Sequence, residues 1–318
     1  MPTPPTVTVV TRTRNRPLLL DRAVRAAMQQ TLTDLHMVIV NDGGDPAQVE
    51  DVIAARRDVA RERVTVIHHR ESLGMEAASN AGIRGSSSRY VAILDDDDSW
   101  HPRFLELAVG AAEQSGSMGT VTNTRVVLES TEYGDVRLSQ WFDFDPLAGA
   151  WMPYRPPTDL FRLISWNQFP PCAFVYRRDA LDDVGEYDES LPVLGDWDFN
   201  IRFLLRHRVG HLPLPLAYYH HRTDSSAGLG NSVHAGEDLH ERVRLELLER
   251  YLRRDLEQGK LGVGFLSNLL YDLRQARSAE GTAQEELARR LDRIDDSLKQ
   301  IADRLDRIAS DPGGDPVG

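Results

Sequence analysis

The chain has 318 residues, with 37 basic and 49 acidic side chains, 41% hydrophobic residues and 23 glycines. That composition excludes wholesale disorder. A net charge of −12 argues against a nucleic-acid binder, whose phosphate contacts need a basic surface. The single cysteine, Cys172, excludes an internal disulfide and any multi-cysteine zinc site. No window approaches the ~20 apolar residues of a membrane span, and the N-terminus has no apolar run suited to a signal peptide. A cytoplasmic protein is expected. Only Lys260 and Lys299 are lysines, so nearly every cation is an arginine.

The first hundred residues alternate between strand and helix signals. Val7 to Val10 reads as a strand, and Pro17 suits the first position of a helix over 18–30. Leu35 to Val40 is a second strand, stopped by the turn signal Asn41-Asp42-Gly43-Gly44. A helix at 46–60, a strand at Val64 to Ile67, a helix near 74–84 and a strand at Tyr90 to Leu94 follow. This alternation predicts an α/β fold of parallel β-α-β units. Ligands then gather beyond the carboxyl ends of the strands.

Past residue 102 the pattern loosens. A helix is expected at 102–115 and strand at 118–128, and 129–170 is rich in aromatics and prolines without clear period. Ala173 to Tyr176 reads as a strand, 179–184 as a short helix, 196–207 as an amphipathic helix, and Leu216 to His221 as extended. Residues 236–278 look helical again.

The last segment carries a heptad. Leu287, Leu291, Ile294, Leu298, Ile301, Leu305 and Ile308 are spaced alternately by four and three. Acid-first pairs such as Glu285–Arg289 and Asp295–Lys299 support the helix. An amphipathic helix packed on the chain's own body has the same period, but here only the two seam positions are apolar. Leucine at a with isoleucine at d favours a tetramer over a trimer or dimer. Residues 284–308 are therefore expected to join copies of the chain into a homo-oligomer.

Asp95-Asp96-Asp97-Asp98 follows the fourth strand. Adjacent carboxylates repel, and a buried pair needs a cation to stay ionised. Acids at a strand end can share a divalent ion, for which magnesium or manganese is the natural guest. Part of the net negative charge lies here, where such an ion would partly neutralise it. A solvated acidic turn capping the next helix is the plainer alternative. A dehalogenase-type phosphatase motif also places acids after a strand, but needs a lysine near the phosphate, and both lysines lie in late helices.

Six segments, in order, carry a resemblance: VTVVTRTRNRP from Val7, MVIVNDG from Met37, SLGMEAASNAGI from Ser72, YVAILDDDDSWHP from Tyr90, FVYRRDALDDVGEYDESL from Phe174 and GDWDFNIR from Gly195. Together they resemble family 2 glycosyltransferases of the GT-A fold. The resemblance implies a GT-A domain over 1–230; the helical pattern, the heptad and the Ser-Asp-Pro-Gly-Gly stop predict a helical extension at 231–278, a coiled coil at 279–310 and a disordered tail at 311–318.

By that resemblance Thr11, Thr13 and Asn15 lie beside the nucleotide, and Asp42 meets the base. The family often has two acids there, and Asn41 replaces the first. Gly74 and Asn80 would line the pyrophosphate side, although turn and helix-cap chemistry explains both equally well. Asp95, Asp96 and Asp97 resemble the DxD motif: Asp95 and Asp96 hold ribose and water, and Asp97 binds the metal. His221 resembles the second metal ligand and fits better than His220, yet the arginine usual in that motif is missing from its place.

Asp196 takes the place of the general base, with Gly195 standing where the family carries an acid. Trp197, Asp198 and Arg177 are acceptor candidates, as are Arg178, Trp141, Trp151, Trp166 and Pro170-Pro171-Cys172. The implied activity is inverting, Mn2+- or Mg2+-dependent transfer of a sugar from a UDP, dTDP or GDP donor to a saccharide or lipid-linked acceptor. Bacterial surface-glycan synthesis, in the cytoplasm or at the inner membrane face, is the family-level expectation. A non-catalytic oligomeric binding module with a degenerate site is the alternative, favoured by Asn41 and Gly195.

The heptad makes a direct prediction. Light scattering on the full chain and on one cut before Ala279 should give different subunit numbers; equal numbers would refute the coiled coil.

Overall fold

A computed structural model describes residues 4–56, 59–132, 135–143, 160–164, 166–222, 237–260, 262–271 and 273. The heptad at 287–308, the expected tail and Trp151 lie outside them, and Trp141 falls in a strand whose side chains are not described.

The first four expected strands form one side of a nine-stranded sheet. Strands β1 (Val7–Thr13), β2 (Leu35–Asp42), β3 (Val64–His69) and β4 (Tyr90–Ile93) are parallel, with β1 between β2 and β4. Most side chains of β1, β2 and β4 are buried, as runs covered on both faces require. Helices α1 (Pro17–Met28), α2 (Pro46–Ala55) and α3 (Met75–Arg84) make the crossovers. Pro17 sits in the first turn of α1, and Asp45 caps α2 by accepting from the Ala47 amide at 2.9 Å.

Two boundaries differ from expectation for a pairing reason. Asn41 and Asp42 continue β2 because they pair with His68 and His69 of a longer β3, so the turn begins only at Gly43. The segment after the aspartates forms a two-residue strand, β5 (Ser99–Trp100), before α4 (Phe104–Ser115).

The second half extends the sheet. Strands β6 (Gly119–Glu132), β7 (Asp135–Asp143), β8 (Phe174–Arg177) and β9 (Val209–Arg222) complete the order β3-β2-β1-β4-β8-β6-β9-β5, with β7 beside β6. Helix β-connections include the short α5 (Leu160–Leu163) and α6 (Leu181–Val184), then α7 (Gly195–Arg206). β9 runs parallel to β6 and antiparallel to β5, which brings His220 to Arg222 beside Glu129 and the aspartate loop.

The helical region begins with α8 (Glu237–Glu257). Its Val243, Leu247, Leu248 and Tyr251 join the same apolar core as the sheet. Tyr251 also donates its hydroxyl to Asp198 of α7, whose other oxygen accepts from Arg202 Nε at 2.8 Å. Leu247→Ala should therefore lower the main urea-unfolding free energy by ~2–5 kcal/mol. An unchanged main transition would mean that α8 does not stabilise the sheet domain.

Candidate active site

Parallel neighbours bring the ends of β1, β2 and β4 to one edge, and the aspartate loop leaves that edge. Each aspartate has its own set of partners. Asp95 is held by both ends of the Arg12 fork, Nε at 2.7 Å and Nη2 at 2.6 Å. Asp96, fully buried, accepts from Thr13 Oγ1 at 2.7 Å and from Arg16 Nε at 3.0 Å. Asp97 Oδ2 accepts from Arg222 Nη2 at 2.7 Å and lies 3.5 Å from Arg16 Nη1, while Arg22 donates to the Asp97 carbonyl. Asp98 accepts from the His220 amide at 3.2 Å, next to the buried Cys172 thiol.

These surroundings push Asp96, Asp97 and Asp98 apart. Burial raises Asp96 to about 7 against the pull of Arg16. Burial also raises Asp98 well above its ordinary value, reinforced by the charges of Asp97 and Asp95. For Asp97 burial acts upward too, but Arg16, Arg222, Arg22 and His220 outweigh it and hold the carboxyl below the usual range.

A second layer supports Asp97. Glu129 of β6 accepts from Arg22 at 2.6 Å, Arg222 at 3.1 Å and His220 Nδ1 at 2.7 Å. The other His220 nitrogen meets Ser99 Oγ at 2.7 Å. Arg222 itself has no side-chain exposure.

The opposite part of the site opens α7. Leu194 takes a left-handed φ of 64° just before the helix, and Asp196 follows in its first turn. Asp196 Oδ2 accepts from Asn167 Nδ2 at 2.6 Å, and burial raises its pKa despite that bond. Gly195 is required by close approach: a Cβ there would lie 2.3 Å from the Glu76 carboxyl carbon. The acid missing at 195 is thus matched by Glu76, arriving from α3 into the space beside Asp196. Glu76 Oε2 is buried, has no hydrogen-bond donor among the described residues and lies 3.7 Å from Arg12 Nη1. Burial pushes Glu76 up to about 7, against Arg12 and with help from Asp196 and Asp95.

Several expected contacts take other roles. Asp96 is too buried to hold a ribose and instead anchors the β1–α1 loop. Asn80 is corrected from diphosphate contact to loop clamp: it donates to the Tyr187 carbonyl and Glu189, and accepts from the Tyr187 amide. Asp42 accepts from Ser72, Leu73, Gly74 and His69, so its four lone-pair positions close the 72–74 turn. Those bonds outweigh burial and keep its pKa low. Gly74 stands at φ +98°, with open space where a Cβ would point, so conformation selects glycine. Asn15, also left-handed, accepts from the Asp45 amide at 2.8 Å. Thr11 is wholly buried, and its hydroxyl has no described partner.

The acceptor candidates fare differently. Trp197 is core, 1% exposed, donating to the Leu163 carbonyl at 2.6 Å, and Asp198 ties α7 to α8. Arg177 pairs with Asp179 at the end of β4 remote from the aspartates, opposite Tyr90. Arg178 binds the Ser88 and Ile83 carbonyls, each at 2.8 Å. Trp166 stacks under the Arg244 guanidinium at 4.4 Å. Cys172 is buried in a short 3-10 turn whose carbonyl accepts from Trp100.

The residues present do not fit the expected divalent ion at Asp97. Its Oδ2 faces two guanidinium groups, and a third sits at its carbonyl. Among the described residues no group of three or more His, Cys, Asp or Glu is placed to hold a metal ion. His221 lies edge-on to Tyr219 at 4.4 Å, and its neighbour Arg222 reaches the Asp97 carboxylate. Sequence reasoning missed Arg12, Arg16, Arg22, Arg222, Glu76, Glu129 and Asn167. The arginine-rich Thr11–Arg16 segment was a visible signal; the others become neighbours only through folding.

Comparison with known proteins identifies the family and the fold. The model for Glycosyl transferase family 2 matches residues 8–185. The uncharacterized glycosyltransferase YwdF of Bacillus subtilis is 26% identical over 230 residues, covering 72% of this chain and 78% of YwdF. S. aureus TarS 1–349 with UDP-GlcNAc superposes with a TM-score of 0.53 at 18% identity, over 76% of this chain and 66% of TarS 1–349. The mannosyltransferase PcManGT of Pyrobaculum calidifontis, in complex with GDP-Man and Mn2+, gives 0.55 at 16%, over 88% and 76%. At these identities the two structures speak for the fold, which is GT-A-like. The chain is a glycosyltransferase and belongs to glycosyltransferase family 2.

Proposed function

We propose that this enzyme moves a sugar from a nucleoside-diphosphate donor to a hydroxyl acceptor by single displacement, with inversion at the anomeric carbon. The observation that carries the reading is Asp196, a raised-pKa carboxylate at the head of α7, aimed by Asn167 and flanked by Glu76. A base tuned upward by burial suits proton abstraction from a hydroxyl. Asp196 takes the acceptor proton while that oxygen attacks, and the anomeric carbon–oxygen bond breaks with its electron pair leaving on the diphosphate.

Thr13, Asn15 and Asp95 flank the nucleotide, and Asp42 and Asn80 act by fixing the loops around it. UDP, dTDP and GDP sugars are the donor class, in line with the UDP-GlcNAc and GDP-Man complexes of the two fold neighbours. Saccharide or lipid-linked hydroxyls in bacterial surface-glycan synthesis are the acceptor class. No described helix is long and apolar enough to cross a membrane. The guanidinium groups around Asp97 do not fit manganese or magnesium there. Glu76 beside Gly195 weakens the case for a degenerate binding module.

Hydrolysis of a nucleotide-sugar panel tests the assignment. Asp196→Asn should lower turnover about 10²–10⁴-fold while nucleotide binding persists; undiminished turnover would remove Asp196 from the mechanism.

Glu76 gives a pH prediction. Its folded pKa is raised, so the folded state holds a proton that the unfolded state has lost. Wild-type stability should therefore fall as pH rises from about 4.5 to about 7. Urea unfolding should find Glu76→Gln gaining on wild type across that window and level above it. A difference that does not vary with pH would contradict the assignment.

A further inference from the structure

The aspartate centre has an internal charge balance. Three acids, Asp96, Asp97 and Glu129, are contacted directly by three guanidinium groups, Arg16, Arg22 and Arg222. Arg222 is clamped at both ends, 2.7 Å from Asp97 and 3.1 Å from Glu129, with its side chain out of solvent. A guanidinium stays charged at any working pH and is more weakly hydrated than an ammonium, so it suits this buried post. Both ring nitrogens of His220 are engaged, by Glu129 and Ser99. A divalent ion at Asp97 would add its charge beside three fixed cations.

Arg16 differs from Arg222 in access. It ends the β1–α1 loop immediately before the twelve-residue α1, and its side chain is 25% exposed. A planar guanidinium there can bind phosphate oxygens through paired hydrogen bonds, and the amides at the start of α1 point the same partial charge toward the loop.

We propose that the Asp97 centre receives a nucleoside diphosphate without a divalent ion, Arg222 serving as the fixed counter-charge of Asp97 and Arg16 as the cation that meets the diphosphate. The inference rests on the transferase reading above. In the transfer step the electron pair of the breaking anomeric carbon–oxygen bond goes to the terminal phosphate oxygen, whose charge Arg16 offsets. The acceptor proton goes to Asp196, so charge and atoms balance with no ion added.

Two measurements on the full chain test this. Titration with Mn2+, followed by the electron paramagnetic resonance of the free ion, should show no one-to-one binding. Calorimetry with UDP, GDP and dTDP should give a Kd that agrees within about twofold in EDTA and in Mn2+, and that weakens about tenfold or more in Arg16→Ala. Arg222→His, once thermal unfolding shows it folded, should make nucleotide binding depend on Mn2+; should it not fold, Arg16→Ala carries the test. One Mn2+ bound per wild-type chain and lost in Asp97→Asn would overturn the proposal. So would nucleotide binding that requires Mn2+, an outcome that leaves the transferase reading intact. Binding of none of UDP, GDP and dTDP under either condition would instead overturn the transferase reading, and this inference with it.

Discussion

Charge compensation of buried carboxylates is the constraint on which the site depends. Four consecutive aspartates leave the sheet at the end of β4, and three of them are buried. Removing one partner from a buried ion pair costs about 3–5 kcal/mol, because the remaining charge is left unpaired. The fold meets this demand with side chains from distant elements: Arg12 from β1, Arg16 from the following loop, Arg22 from α1 and Arg222 from the end of β9. The bonds that satisfy the aspartates therefore also lock the first half of the sheet to the last strand.

The same economy of space governs the base. Under the proposed mechanism Asp196 is that base, and burial holds its carboxyl above its ordinary pKa. Gly195 leaves room for Glu76, so an acid adjacent in sequence has been exchanged for one adjacent in space. Arg12 links the two regions, since it binds Asp95 while standing near Glu76. Under the proposed mechanism, donor side and acceptor side would share one electrostatic framework, with the diphosphate at its arginine end and the attacking hydroxyl at Asp196.

Much of this was legible in the sequence, and the remainder was hidden for physical reasons. The apolar runs of β1 to β4 are local signals, and so are Pro17 in α1 and the aspartates after β4. The pairing of β6 with β9 is non-local and leaves no periodic trace, so the contact between Arg222 and Asp97 could not be read. Near-exclusive use of arginine carries no local signal of position, yet several of those arginines are the partners of the acids. Asn80 and Asp198 carried residue types suited to ligand contact, but hydrogen bonds to Tyr187 and Tyr251 spend them on packing. A polar residue in a motif reveals its role only when its partners are known.

The central claim is single displacement with Asp196 as base, and the anomeric form of the first product tests it most directly. A turned-over nucleotide sugar of α configuration should release the β sugar first when water replaces the acceptor, as read by proton NMR before mutarotation. The account predicts that β anomer, and its loss in Asp196→Asn. Initial release of the α anomer would contradict it.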